Sequence, residues 1–132
     1  ISALSTFAAR ELKPFGFSVV QIDDGWQAGE PSNGPRKNFT THRASGPFPG
    51  GMKETADHIA SLSLTPGLWF MPFAGTWNDP FFADKQDWFA KNKEGKPFET
   101  NWGGTPLDMT HPAAQSFVRE NVRRMTRDWG YK

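Results

Sequence analysis

Apolar positions along this chain switch between a helical period and short extended runs. Over residues 1–15, Leu4, Phe7, Ala8 and Leu12 fall at helical spacing, and Pro14 with Gly16 ends the helix. Phe7 is expected in the core. Val19-Val20-Gln21-Ile22 then reads as a buried strand that runs into Asp23-Asp24-Gly25-Trp26-Gln27. Residues 28–51, crowded with Pro and Gly, predict a long loop that is either functional, as a lid or pocket wall, or disordered. Met52, Ala56, Ile59 and Ala60 write a second helix closing near Leu64. After the breaker Thr65-Pro66-Gly67, the run Leu68-Trp69-Phe70-Met71-Pro72-Phe73 predicts a second buried strand.

Helix, strand, helix, strand is the order of a βαβ crossover with a parallel sheet. Between Phe73 and Leu107 the chain makes an excursion. It contains an expected aromatic-rich helix over 80–91, packed over the sheet end, a turn at Lys93-Glu94-Gly95-Lys96, and a brief strand from Thr105 to Met109. Trp102-Gly103-Gly104 is either a pocket wall or a loop anchor. The last helix has Thr110 as its expected N-cap and Pro112 in its first turn. Ala114, Phe117, Val118, Val122, Met125 and Trp129 form its apolar face.

Ligands of parallel α/β sheets bind at the carboxyl ends of strands, which places Asp23 and Asp24 where binding is expected. Successive strand residues point to opposite faces, so the two acids share a pocket only if the chain bends there, and Gly25 permits the bend. Adjacent carboxylates are acceptors suited to two neighbouring sugar hydroxyls. They do not suit a glycosidase's catalytic pair, whose carboxyls flank the scissile bond about 5–9 Å apart. The alternative is that one Asp caps a loop while the other is solvated.

Composition narrows the function classes. The 132 residues fit one domain or a piece of one, and a formal charge of +1 gives no footprint for nucleic acid or an anionic membrane. Six Trp and twelve Phe against one Tyr supply either apolar platforms for sugar rings or simply a Phe-rich core. There is no cysteine for a disulfide or thiolate metal site, and no run of membrane-spanning length. His42, His58 and His111 are scattered without metal-ligand spacing, so no metal or other cofactor is expected. Arg36, Lys37, His42 and Arg43 are expected on a solvated face. The sequon Asn38-Phe39-Thr40 carries little weight, because such matches are frequent by chance.

Taken together, Ile22-Asp23-Asp24-Gly25-Trp26-Gln27, Phe48-Pro49-Gly50-Gly51-Met52, Pro66-Gly67-Leu68-Trp69, Asp87-Trp88, Leu107-Asp108-Met109-Thr110-His111-Pro112 and Trp129-Gly130-Tyr131 resemble the melibiase-type α-galactosidases. These are retaining glycoside hydrolases with a (β/α)8 barrel. The resemblance implies an α/β fold for 1–132: a partial (β/α)8 TIM barrel with parallel strands and long strand-to-helix loops. By position it implies that Asp23 and Asp24 bind the O4 and O6 hydroxyls of a terminal galactose, with Trp26 and Trp69 lining the site. Trp102 is the further candidate for substrate binding. The ligand class is a galactose-containing oligosaccharide or glycoside.

Two positions depart from the family pattern. Met71-Pro72-Phe73 stands where many members carry Glu, and Asn101-Trp102-Gly103 stands where they carry Arg. The family's nucleophile and acid/base carboxylates lie on later strands, so this chain is expected to hold the sugar-reading residues without the catalytic pair. A stand-alone galactose-binding module is the alternative from another class. A related α-N-acetylgalactosaminidase or a transferase building raffinose-type sugars is the alternative from a neighbouring one.

Overall fold

The computed structural model describes residues 1–31 and 33–132. The elements run α1 (Ser2–Phe7), β1 (Val19–Ile22), β2 (Gln27–Ala28), β3 (Asn38–His42), α2 (Gly51–Ser61), β4 (Thr65–Leu68), β5 (Ala74–Gly75), β6 (Thr105–Pro106) and α3 (Pro112–Arg123). Wide and tight helical turns continue α1 to Phe15, and Gly16 closes it at φ +92°. A wide turn extends α3 to Asp128.

β1 and β4 pair in parallel, with Val19 opposite Thr65 and Ile22 opposite Leu68, across the α2 crossover. The second strand therefore begins at Thr65, three residues before the expected start, and ends at Leu68. Pro66 lies inside it without disrupting the pair, because backbone groups of a strand point alternately to its two sides. The amides of Thr65 and Trp69 donate to Ser18 and Ile22 of the β1 segment, at 2.7 and 2.8 Å. Pro66 thus faces the opposite side, where its missing N–H costs β1 nothing. Its carbonyl accepts instead from the amide of Lys132 at 2.9 Å, so the chain's last residue lies along the far side of β4.

Two apolar clusters hold the elements together. The first joins Ile22, Trp26, Phe39, Phe48, Met52, Ala56, Met125 and Tyr131. Tyr131 is its clasp, with its hydroxyl donating to the carbonyl of Met52 at 3.0 Å. The second cluster packs Phe82, Phe89 and Leu107 of the excursion on Ala114 and Val118 of α3.

Several expectations need correction. Residues 28–51 are not structureless, since β3 pairs antiparallel with β2. Residues 80–91 form two separate tight turns, Pro80–Phe82 and Gln86–Trp88. Asp79 starts the first by accepting from Phe81 N at 2.8 Å, and Phe82 and Phe89 lie against α3 rather than over the sheet end. The N-cap of α3 is His111, whose Nδ1 accepts from Ala113 N, while Thr110 is tied to Asp108.

The first helix turns Ser5 inward and leaves Leu4 and Phe7 exposed, contrary to the core role expected of Phe7. Val19 of β1 is likewise exposed. The reason is shared, because among the described residues β1 has a strand neighbour on one side only. Among the described residues no further strand covers the apolar side chains beside that edge. The expected turn at 93–96 is present, with Gly95 at φ +77° and Lys91 bridged to Pro97.

Candidate functional site

Parallel pairing puts the ends of β1 and β4 side by side, so Asp23 and Asp24 leave β1 next to Trp69 at the end of β4. Both acids are exposed. Gly25 bends the chain behind them at φ +102°, a left-handed conformation that costs glycine little.

The bend is filled from beneath by Gln27, which is fully buried. Its amide nitrogen donates to Asp24 Oδ1 at 2.7 Å and to the Arg36 carbonyl at 2.6 Å, while its amide oxygen accepts from Gly25 N at 3.1 Å. The next residue along, Lys37, is only 1% exposed, against the expectation of a solvated basic face. Its Nζ donates to the carbonyls of Asn33 at 3.1 Å and Pro35 at 2.6 Å. Burial pushes the Lys37 pKa below the ordinary lysine value, and the negative charge of Asp24 opposes that shift.

The tryptophans differ in what they can offer. Trp26 is 1% exposed, and its indole N–H donates to the Trp69 carbonyl at 2.8 Å. It packs edge-on against Trp129 at 5.8 Å and on Phe39 at 5.9 Å, so it fastens the site's floor. Trp69 is half-buried and leans on Phe39. Trp102 is 63% exposed. Its loop is tied down by Thr100, whose hydroxyl donates to the Trp102 carbonyl at 2.6 Å, and by Asn33, which donates to the Thr100 carbonyl at 2.6 Å. Trp102 also lies against Gly34, where an added Cβ would come within 3.1 Å of the ring.

Trp102 walls an open apolar groove of about 390 Å³ together with Phe70, Met71, Phe73 and Gly103. Asp23 and Asp24 are not among its walls. The groove follows on from Trp69 along the chain, and Gly104, next to its wall residue Gly103, approaches Lys37 so closely that an added Cβ would lie 2.5 Å from Lys37 Cε. No group of three or more His, Cys, Asp or Glu able to hold a metal occurs among the described residues.

The fold, as a whole, is similar to those of solved α-galactosidases. The α-galactosidase of Thermus thermophilus, in complex with p-nitrophenyl α-D-galactopyranoside, superposes on 98% of this chain with 33% identity and a TM-score of 0.71. Over nearly its whole length the chain is similar to an α-galactosidase. It spans 26% of that enzyme's length. The α-galactosidase of Lactobacillus brevis matches 98% of the chain with a TM-score of 0.79 at 18% identity, which is a likeness of fold, and the chain spans 17% of it. A GH36 α-galactosidase of Geobacillus stearothermophilus in complex with raffinose matches with a TM-score of 0.77 at 18% identity. No protein-family model and no curated protein matches the sequence.

The sequence points to Asp23, Asp24 and the tryptophans, and does not single out the buried residues Gln27 and Lys37. Gln27 stood inside the quoted motif, and its distance of three residues from Asp24 is the signal that a turn would bring them together. Nothing in the sequence marks Lys37, whose stem is approached by Gly104 from far along the chain.

Proposed function

We propose that this chain is the galactose-reading part of a partial (β/α)8 barrel, in a retaining glycosidase that removes terminal α-galactosyl residues. The observation that carries the reading is the side-by-side exit of Asp23-Asp24 and Trp69 from two parallel strands. Two exposed carboxylates there accept hydrogen bonds from adjacent sugar hydroxyls, and the half-buried indole offers a face to the ring's C–H groups. Galactose differs from glucose in the orientation of O4, so an acceptor fixed at that hydroxyl discriminates between them by leaving the wrong epimer unpaired. Trp26 supports the pocket from below, and Trp102 borders its outer side. The substrates in this reading are galactosides of the kind bound by the Thermus enzyme, which has been solved with p-nitrophenyl α-D-galactopyranoside and with stachyose.

The covalent chemistry belongs to two carboxyls outside these residues. One attacks to form a glycosyl-enzyme, and the other acts first as acid and then as base. Within this chain Asp79 is buried as a turn cap that also accepts from Glu30 N at 2.7 Å, and Asp108 is occupied by Thr110. Neither is placed to serve as such a pair.

The test is urea unfolding followed by tryptophan fluorescence, in the presence of galactose, of glucose or of neither. Galactose alone is expected to move the transition to higher urea, because a ligand stabilises only the state it binds. The 132-residue chain is expected to release no nitrophenol from an aryl α-galactoside. A transition indifferent to both sugars would remove the binding claim, and chain-dependent nitrophenol release would remove the division of labour.

A further inference from the structure

Asp24 is exposed, yet two fully buried polar side chains stand behind it, and water alone would suffice to solvate an exposed carboxylate. Gln27 has its amide satisfied on every side it presents: Asp24 Oδ1 and the Arg36 carbonyl take its N–H groups, and Gly25 N–H meets its oxygen. Lys37 threads its stem under Gly104, where even a methyl group would clash with its Cε and Cδ. Buried lysines are rare and require partners. Its bonds to the carbonyls of Asn33 and Pro35 hold the chain around Arg36, whose own carbonyl takes the Gln27 amide.

Ordering and desolvating such groups adds little stability compared with an apolar filling of the same shape. What the arrangement does gain is a carboxylate of fixed direction, which is what recognition of a single hydroxyl requires.

We propose that Gln27 and Lys37 are positioning residues for Asp24. Gln27 clamps Oδ1 and so sets the plane of the carboxylate, Lys37 holds the turn that presents the Arg36 carbonyl to Gln27, and Oδ2 is left directed at a sugar hydroxyl. The inference rests on the galactose-reading role proposed above for Asp24. It extends that role to two residues that need not touch the sugar.

The experiment compares the 132-residue wild-type chain with Gln27→Leu, Lys37→Met and Asp24→Asn, and with each of the first two combined with Asp24→Asn. Two readouts are taken on variants that unfold cooperatively. The first needs no ligand: three-bond NMR couplings at the Asp24 side chain are expected to report one χ1 rotamer in the wild type and averaged values in Gln27→Leu and Lys37→Met. The second is calorimetric affinity for galactose, expected to fall about tenfold in either single variant and less than twofold when the same change is made on Asp24→Asn, the non-additivity of residues acting as one unit.

A single Asp24 rotamer retained in both variants would overturn the proposal. So would galactose losses that simply add to that of Asp24→Asn, the pattern of a merely structural role. If the wild-type chain binds no galactose, the reading of function fails on that point, and the Asp24 couplings still decide the role of Gln27 and Lys37. Should Gln27→Leu not fold, Gln27→Glu replaces it, since a carboxylate there cannot donate to Asp24.

Discussion

The indole N–H of Trp26 donates to the backbone carbonyl of Trp69 across 2.8 Å, joining the loop after β1 to the end of β4. These are the two chain segments from which the candidate sugar site is built, so this part-buried bond adds to the β1–β4 pairing in holding their spacing. Trp26→Phe keeps an aromatic ring in the cluster, removes the donor, and leaves the Trp69 carbonyl without it. A loss of about 2–3 kcal/mol is expected from the unsatisfied acceptor and the smaller ring together. Urea unfolding measures it, and a change below about 0.5 kcal/mol, the range of ordinary surface substitutions, would show that the bond does not fasten the site.

Tyr131 gives a pH-dependent counterpart. It is the only tyrosine of the chain, it is buried, and burial drives its phenol pKa well above the ordinary value. In the unfolded chain the phenol ionises near pH 10. Above that pH the unfolded state loses a proton that the folded state keeps, so stability falls as pH rises. Below it, the contribution is fully present. Absorbance at the phenolate band is therefore expected to stay flat past pH 10 and to rise together with the loss of tryptophan burial. Tyr131→Phe is expected to cost about 1 kcal/mol at pH 7, through the hydrogen bond to Met52, and to remove the alkaline step.

How much of this was legible in the sequence depends on how local each determinant is. The βαβ order, the bend at Gly25 and the turn at Gly95 follow from residues next to one another, and the structure has them. The helix over 80–91 failed because Asp79 and Pro80 start a turn that α3 then fixes through Phe82 and Phe89, a tertiary choice that periodicity does not encode. Phe7 and Val19 read as core for a sound reason, since their pattern is that of buried positions. Their exposure reflects an edge of β1 with no neighbour. Lys37 reads as solvated because the close approach of Gly104 to its stem is a long-range contact that the local sequence does not encode.

That close approach yields a third prediction. Gly104 has φ +78°, and an added Cβ would sit 2.5 Å from both the Gly75 carbonyl and Lys37 Cε. Gly95 has φ +77° with nothing within 4 Å of such a Cβ. Gly95→Ala therefore bears only the backbone strain, about 1–2 kcal/mol, and Gly104→Ala adds a steric clash of about 1–3 kcal/mol on top. Equal urea midpoints for the two variants would mean that both the Lys37 stem and the Gly75 carbonyl move aside freely.

The fourth prediction concerns the open side of β1. Leu4 at 69%, Phe17 at 60% and Val19 at 58% exposure lie on α1, just before β1 and at its start. An unpaired strand edge flanked by apolar side chains is a template for pairing with another chain. The isolated chain is expected to associate as its concentration rises, which sedimentation velocity at several loadings detects. Val19→Lys places a charge on that edge without touching the buried clusters, because Val19 belongs to neither of them. It is expected to suppress association while leaving the urea transition, read at low concentration, within about 0.5 kcal/mol of the wild type. Association unchanged in Val19→Lys would place the contact on another face, and a monomeric wild type at every loading would show that the exposed edge is tolerated in water.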